Sequence, residues 1–373
     1  ALSKIDTTNM IEDVPQSKIA NNINFRNIII NGDMSIAQRG TSSSSSGYQT
    51  VDRFRAEFSG VSVTQSQQSL TSGDPYDDGL RYFFRSANTS TSSATSAFLQ
   101  IYQQIEAQNL NSTGWKFISS SSFVTYSFWV RSSLAGTYYI NLRSNDGTSQ
   151  NFSSPIVLVA DTWKKVSFKI PGNSNITINN DNGAGLFIGV VPHYGADYTT
   201  SGHTTDAWSA YSGTNITPDY SQSWTNTASA TFDITGVQLE AGTTASDFEF
   251  LPVDVNLGRC QRYYFLKASH SRSSAAENIG VGFYYTSTDM RAIVPFPTEM
   301  RARPSIDVVS ASNAYQLRRN GGFDNVDDFV LDGNVSLSGT AIQNNTDASG
   351  TAGQSGHLFT NSSSGFLAFD AEL

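Results

Sequence analysis

The 373-residue chain has one cysteine, Cys260, so an internal disulfide framework is excluded. Its four histidines are scattered at 193, 203, 270 and 357, and zinc-ligand spacing is absent. Charge is scarce: 15% of residues are Asp, Glu, Lys or Arg, with a formal net charge of -9. Basic residues never run longer than Arg318-Arg319. Binding phosphates takes a concentrated basic face, so no nucleic-acid partner is expected. No apolar run reaches the length of a membrane span, and no membrane insertion is expected. The start, Ala1-Leu2-Ser3-Lys4, lacks the apolar core of a signal peptide. Ala1 reads as the residue left when an initiator Met is removed, which predicts a protein made in a cytoplasm and not secreted by the usual route. Neither a Gly-x-Ser-x-Gly elbow nor a P-loop occurs. No convincing long helical pattern is present either.

What is abundant is turn chemistry: 29 glycines among many Ser, Thr and Asn, separating short runs with period-two alternation. That pattern predicts strands, and strands at this spacing predict a sandwich. The runs 27–34 and 232–240 bracket the first two thirds of the chain. We expect them to be the first and last strands of one domain, lying side by side and closing a jelly roll. Between them, strands are predicted over 48–58, 80–85, 98–105, 123–131, 136–143, 163–170 and 186–191. Residues 1–26 are too sparsely apolar for a private core. They read as a leader whose Ile5, Met10, Ile11, Val14 and Ile19 are candidate anchors, with a floppy tail as the plainer reading.

Several blocks carry a resemblance. Ile30-Asn31-Gly32-Asp33-Met34, Gln38-Arg39-Gly40, Val51-Asp52-Arg53-Phe54, Gln104-Ile105-Glu106, Ser127-Phe128-Trp129-Val130-Arg131-Ser132, the run 234–242 and Arg259-Cys260-Gln261-Arg262-Tyr263-Tyr264 occur in this order. Together they resemble a family of tailed-phage virion proteins of the fibre, spike or host-contact type, common in marine phages. Leu2-Ser3-Lys4-Ile5-Asp6 is similar to the short virion-attachment leaders of such proteins. The resemblance implies a virion-surface location after synthesis in the host cytoplasm, phage tail or head proteins as partners through the leader, and a homotrimer. A more distant likeness is to jelly-roll carbohydrate-binding modules, on the opening Asn-Gly strand, Trp163-Lys164-Lys165-Val166 and the closing Val237-Gln238-Leu239-Glu240. That likeness implies a host cell-surface glycan as partner and a structural calcium. Ser35 stands where an acidic ligand is expected, and Thr235 and Gly236 where the closing carboxylate is, so the donor set falls short. No cofactor and no metal are expected.

From Val191 to Thr231 the alternation stops. This long segment carries Tyr194, Tyr198, Trp208, Tyr211, Tyr220 and Trp224, together with Asp197, Asp206 and Asp219. A loop of this length is functional or disordered, and its aromatic content argues against disorder. Sugar rings stack on Tyr and Trp, and their hydroxyls take carboxylate partners. The six aromatics with Asp206 and Asp219 are therefore candidate glycan contacts. Self-packing of the loop and contact with a sister subunit remain open beside that.

Catalysis has little to stand on. Glycan cleavage needs two carboxylates at a set separation. The candidates are Asp77-Asp78, Asp327-Asp328, Glu106 and the three loop aspartates; adjacent acids on strands or turns point apart. No catalytic residue is assigned and no enzyme is expected. Cys260, between Arg259 and Arg262, reads as a packing residue.

Past residue 252, a short helix over 255–261 is predicted. Strands over 260–266, 281–285, 292–296, 305–309 and 365–373 follow, about six or seven in all, forming a second, smaller sandwich. The expected plan is all-β: a leader at 1–26, a jelly roll at 27–252 and a C-terminal β domain at 253–373. The expected task is host attachment through glycan. A purely structural head or tail decoration or fibre component is the alternative, and a glycan depolymerase the third.

Overall fold

The computed structural model describes residues 25–270 and 275–373; the candidate anchors Ile5, Met10, Ile11, Val14 and Ile19 lie outside them. The chain divides between Leu251 and Pro252 into two compact units.

The first unit stacks two six-stranded sheets. One runs, in spatial order, β1 (Ser42–Ser43), β3 (Val63–Ser69), β4 (Tyr82–Asn88), β12 (Thr231–Ala241), β6 (Phe123–Ser132), β9 (Lys164–Pro171). The other runs β11 (Ser209–Ala210), β8 (Gln150–Leu158), β7 (Gly136–Ser144), β10 (Ala184–Tyr194), β5 (Phe98–Glu106), β2 (Arg55–Ser59). The chain passes between sheets repeatedly and its neighbours in each are antiparallel, a jelly-roll sandwich. Alternation explains which side faces in. Val124, Tyr126, Phe128 and Val130 of β6 meet Ile101, Ile140, Leu142 and Ile188 from the opposite sheet in one core.

β12 shows how the period is kept through an irregularity. Phe232 and Ile234 point inward, then Val237 and Leu239 do, an odd step that would flip every later side chain outward. A bulge between Thr235 and Gln238 absorbs it, with Gly236 at φ 61°.

The opening run 27–34 lies beside β12 as expected, yet it is not a regular strand. Ile28 N–H donates to Leu239 O at 2.9 Å and Val237 N–H to Gly32 O at 2.9 Å. The Asn27 amide accepts from Leu239 N and Ile29 N and donates to Val237 O. The Asn31 amide donates to Ile36 O and Asp52 O, with Asn31 itself at φ 60°. Short amide side chains here take the backbone partners that a ladder would have used.

Besides the two-residue β1 and β11, two strands of this unit escape the sequence pattern. β3 reads Val-Thr-Gln-Ser-Gln-Gln-Ser, with too little apolar signal. β8 contains Pro155, which cannot donate to a ladder. It is tolerated because β8 is paired fully only with β7, while β11 covers just Gln150 and Asn151. On that open side Asp206 N–H donates to Ser153 O at 2.8 Å and the Lys164 ammonium to Val157 O at 2.9 Å.

The second unit is also a two-sheet sandwich. Three strands run β13 (Tyr264–Ser269), β22 (Phe366–Asp370), β16 (Ser305–Val308). Seven run β18 (Gly322–Val326), β17 (Tyr315–Arg319), β21 (Ser355–Thr360), β14 (Asn278–Thr286), β15 (Asp289–Pro295), β20 (Gly339–Asn344), β19 (Val330–Leu331). Ala268, Leu367 and Phe369 of the small sheet share a core with Tyr284, Met290 and Leu317 of the large one. The expected strand over 260–266 starts late: Cys260 and Gln261 close the helix Val253–Gln261, and Cys260 is buried in it. The apolar C-terminal strand is central in its sheet, paired on both sides.

Candidate functional site

The inward side chains of β5, β7 and β10 fill the core, so the alternate residues form the sheet's outer face. Gln100 and Tyr102 come from β5, Asn141 and Arg143 from β7, and Phe187 from β10. Gly189 sits among them because a Cβ there would come within 2.6 Å of the Tyr102 Cβ and 2.2 Å of Ile101 O. Tyr102 can then lie across the sheet, its ring 4.1 Å from that of Phe187.

The segment after β10 folds down onto one end of this face. Tyr220 O–H donates to Val191 O at 3.1 Å, and its ring meets Tyr139 edge-on at 5.1 Å. Ile216 N–H donates to Tyr198 O, and Asn151 Nδ2 to Ile216 O, both at 2.9 Å. His203 is held between Ser153 Oγ at 2.8 Å and Asn215 Oδ1 at 2.9 Å. The segment is thus tied to the sheet by polar bonds along its length.

Between segment and sheet lies a pocket of about 160 Å³. Tyr198 and Tyr211 wall it from the segment side, and Phe98, Phe187 and Tyr194, the last residue of β10, from the sheet. Gln100, Asn141 and Arg143 bring polar groups. Tyr194 O–H donates to Gln100 Oε1 at 2.5 Å, and Gln100 Nε2 donates to Glu57 Oε2 at 2.7 Å. Tyr102 O–H donates to the same carboxylate oxygen at 2.8 Å, and Arg55 Nη2 stands 3.3 Å from Glu57 Oε1. Burial pushes the Tyr194 hydroxyl well above the ordinary phenol range, so it remains a donor at any physiological pH. The Arg143 guanidinium lies over Tyr211 at 4.8 Å and Phe187 at 5.4 Å. Its Nε donates to Asn145 Oδ1 at 3.3 Å.

The predicted aromatics therefore part company. Tyr194, Tyr198 and Tyr211 are gathered in one pocket. Trp208 packs on Phe152 and donates Nε1–H to Pro171 O at 2.7 Å. Trp224 is fully buried in the main core and offers no surface to a ligand. Tyr220 is held down on β10 and borders a separate depression with His193 and Asp219. Asp219 accepts from Thr199 Oγ1 at 2.6 Å, while Asp206 is an exposed turn residue at φ 60°. Neither aspartate lines the tyrosine pocket. The self-packing open in the sequence holds for Trp208 and Trp224.

Phe98, Gln100, Asn141, Arg143 and Phe187 are the contributions that the sequence did not single out. The usable signal was alternation: Tyr139, Asn141 and Arg143 face away from Ile140 and Leu142. That assigns a face, but not which part of it a distant loop leaves open.

Several of the carboxylates considered for catalysis have other partners. Asp78 accepts from Trp129 Nε1 at 3.1 Å and pairs with Lys165 at 2.9 Å. Buried Glu106 accepts from Gln108 at 2.5 Å. Asp327 accepts from Asn313 N–H and Asp328 from Ser310 Oγ. At the positions where calcium ligands were implied, Ser35 Oγ donates to Asp33 at 3.1 Å, Thr235 Oγ1 donates to Tyr82 O at 2.6 Å, and Gly236 has no side chain; the acids of the two segments are engaged as well. Glu240 faces the Arg26 guanidinium at 3.4 Å and accepts from Gln238 and Ser246, and Asp33 accepts from Ser35. Among the described residues no group of three or more His, Cys, Asp or Glu could hold a metal.

No protein-family model matches the chain, and no curated protein matches it in sequence. Among solved structures it is similar to the enzymatically active domain of bacteriophage CBA120 tailspike protein 4, at 10% identity and a TM-score of 0.33. That match covers 58% of this chain and 22% of the tailspike chain, so the chain spans about a fifth of it. A family 11 carbohydrate-binding module from Clostridium thermocellum, solved with a mixed-linked tetrasaccharide, is 11% identical over 55% of this chain and 98% of the module, with a TM-score of 0.25. A cyclase from Fischerella sp. TAU is 9% identical over 59% of this chain and 99% of its own, with a TM-score of 0.33. Likenesses of this looseness identify neither family nor activity.

Proposed function

We propose that the first unit binds glycan in the tyrosine pocket, and that the chain serves as a host-attachment protein on the surface of a tailed-phage particle. The observation that carries the binding is the pocket's make-up: five aromatic rings around one concavity, with an amide pair and a guanidinium set among them. Apolar ring faces and convergent hydrogen-bonding groups are what a pyranose needs, one surface for its C–H face and partners for its hydroxyls. Its volume suits a terminal or single internal sugar. The virion assignment rests on the ordered sequence blocks from Ile30 to Tyr264 and on nothing in the pocket.

In this reading the protein binds and does not cleave, since the candidate acids serve turns, strands and ion pairs. Copies in a homotrimer would present three weak sites at once, and avidity would raise attachment without any new contact.

The test is a glycan array followed by titration calorimetry on the full chain. Wild-type protein is expected to bind a subset of bacterial envelope glycans. Tyr211→Ala and Tyr198→Ala, both at partly exposed positions, are expected to weaken binding at least about tenfold, roughly the worth of one stacking ring. A folded protein that leaves the array blank sinks the glycan reading. Antibody labelling of intact particles tests the location separately, with a tail signal expected and unlabelled particles overturning it.

A further inference from the structure

We infer that the pocket selects an acidic sugar, one whose carboxylate is received by Arg143. The inference rests on the glycan reading above and adds the ligand's charge. Arg143 lines the pocket with its guanidinium lying over the rings of Tyr211 and Phe187, a packing that fixes the plane of the fork. Asn145 takes only its Nε–H. Among the described residues no carboxylate pairs with Arg143.

Among the described residues, five other arginines take carboxylate partners, whereas Arg81 and Arg319, like Arg143, do not: Arg81 donates to Tyr76 O and Leu80 O, and Arg319 to Ser349 O. Arg26 meets Glu240, Arg55 meets Glu57, Arg85 and Arg131 meet Asp233, and Arg291 meets Asp289 and Asp332. Acids are plentiful, 32 against 23 basic residues, so an arginine without one does not reflect a shortage. The pocket lining holds Arg143 and no Asp or Glu. The nearby Glu57 is matched by Arg55 and by the donors of Gln100 and Tyr102. The concavity is therefore positive in a molecule of net charge -9, and a neutral sugar would leave that charge unanswered.

A planar guanidinium seated on aromatic rings is suited to a carboxylate, which it can hold through two parallel N–H donors. Arg143 is pre-set for this because stacking has already cost it most of its rotamer freedom. Gln100 is bonded to Tyr194 and Glu57, and Asn141 Nδ2 to Asn151 Oδ1 and Phe152 O, so the aromatic faces hold the ring while Arg143 reads the acid. The ligand class is thus a uronic or other carboxylate-bearing sugar, with the acid directed toward β7 and the ring against Tyr211.

The experiment compares oligosaccharides of galacturonate, glucuronate and N-acetylneuraminate with their carboxyl-reduced neutral counterparts, by calorimetry on the full chain in low and high salt. The acidic forms are expected to bind at least tenfold tighter, with the margin shrinking in salt. Arg143→Gln is expected to abolish the margin while leaving weak binding to both forms, with folding checked by near-UV circular dichroism. Arg143→Lys keeps the charge without the fork and is expected to fall between. Equal affinity for acidic and neutral forms, or an acid preference unchanged in Arg143→Gln, overturns the inference and leaves glycan binding standing. If sulfated but not carboxylated sugars bind, the carboxylate assignment is overturned. Absence of binding to every sugar, neutral ones included, overturns the glycan reading and this inference with it. The wild-type comparison decides the matter even should both variants misfold.

Discussion

His193 sits at the end of β10 with its ring 5.2 Å from that of Tyr220, and its Nδ1 is buried without a partner. Desolvation lowers its pKa from the ordinary 6.5 to about 4, so the folded protein keeps it neutral. The unfolded chain takes up this proton between those two values and the folded chain does not. Stability from His193 is therefore full above pH 6.5 and is lost as pH falls toward 4, by about 3 kcal/mol in total. Urea unfolding across pH 4–7 should show this slope, and His193→Gln should flatten it by about one proton. The same scale divides what could be read beforehand from what could not. Tyr194, Tyr198 and Tyr211 stood out as aromatics in a segment without alternation. Arg143 and Phe187 did not, because each occupies an ordinary strand position and meets its neighbours only from far along the sequence, Tyr211 for the one and Phe98 and Tyr102 for the other.

At the scale of elements, strand identity followed from alternation in β5, β6, β7 and β10 but not in the short β17, β18, β20 and β21 of the second unit, which has ten strands against the six or seven expected. It failed where polar side chains line both faces, in β3, and where proline interrupts, in β8. The proximity of 27–34 to 232–240 was legible, but the irregular path was not. It depends on two asparagine amides, Asn31 bonding the nearby Ile36 and Asp52 and Asn27 reaching Val237 and Leu239 far along the sequence. Gly32 is the tightest point of that junction: a Cβ there would stand 2.0 Å from Val237 O, the carbonyl that also accepts from Asn27. Gly32→Ala is expected to force the two segments apart and to destabilise the first unit by at least about 2 kcal/mol, an overpacking cost. Chemical denaturation followed by tryptophan fluorescence measures it directly. All five tryptophans lie before residue 251, so this probe reports on that unit alone.

For the whole molecule, each unit encloses its own core, one built around Phe128, Ile140 and Phe232 and the other around Tyr284, Met290 and Phe369. Calorimetry of the full chain should resolve two transitions, and Gly32→Ala should lower one while leaving the other in place. A single transition that moves as a whole would contradict two separately held cores.

The border of the sandwich along β8 bears on how closely copies of this chain can be crowded together. An exposed sheet margin ordinarily invites a neighbour's backbone to zip on and to keep extending. Here Ser153 and Val157 have their carbonyls occupied from within, and Pro155 contributes no N–H. Lateral polymerisation through this side is blocked at its first rungs. Crowding many copies of this chain together would therefore not seed fibrils from this margin.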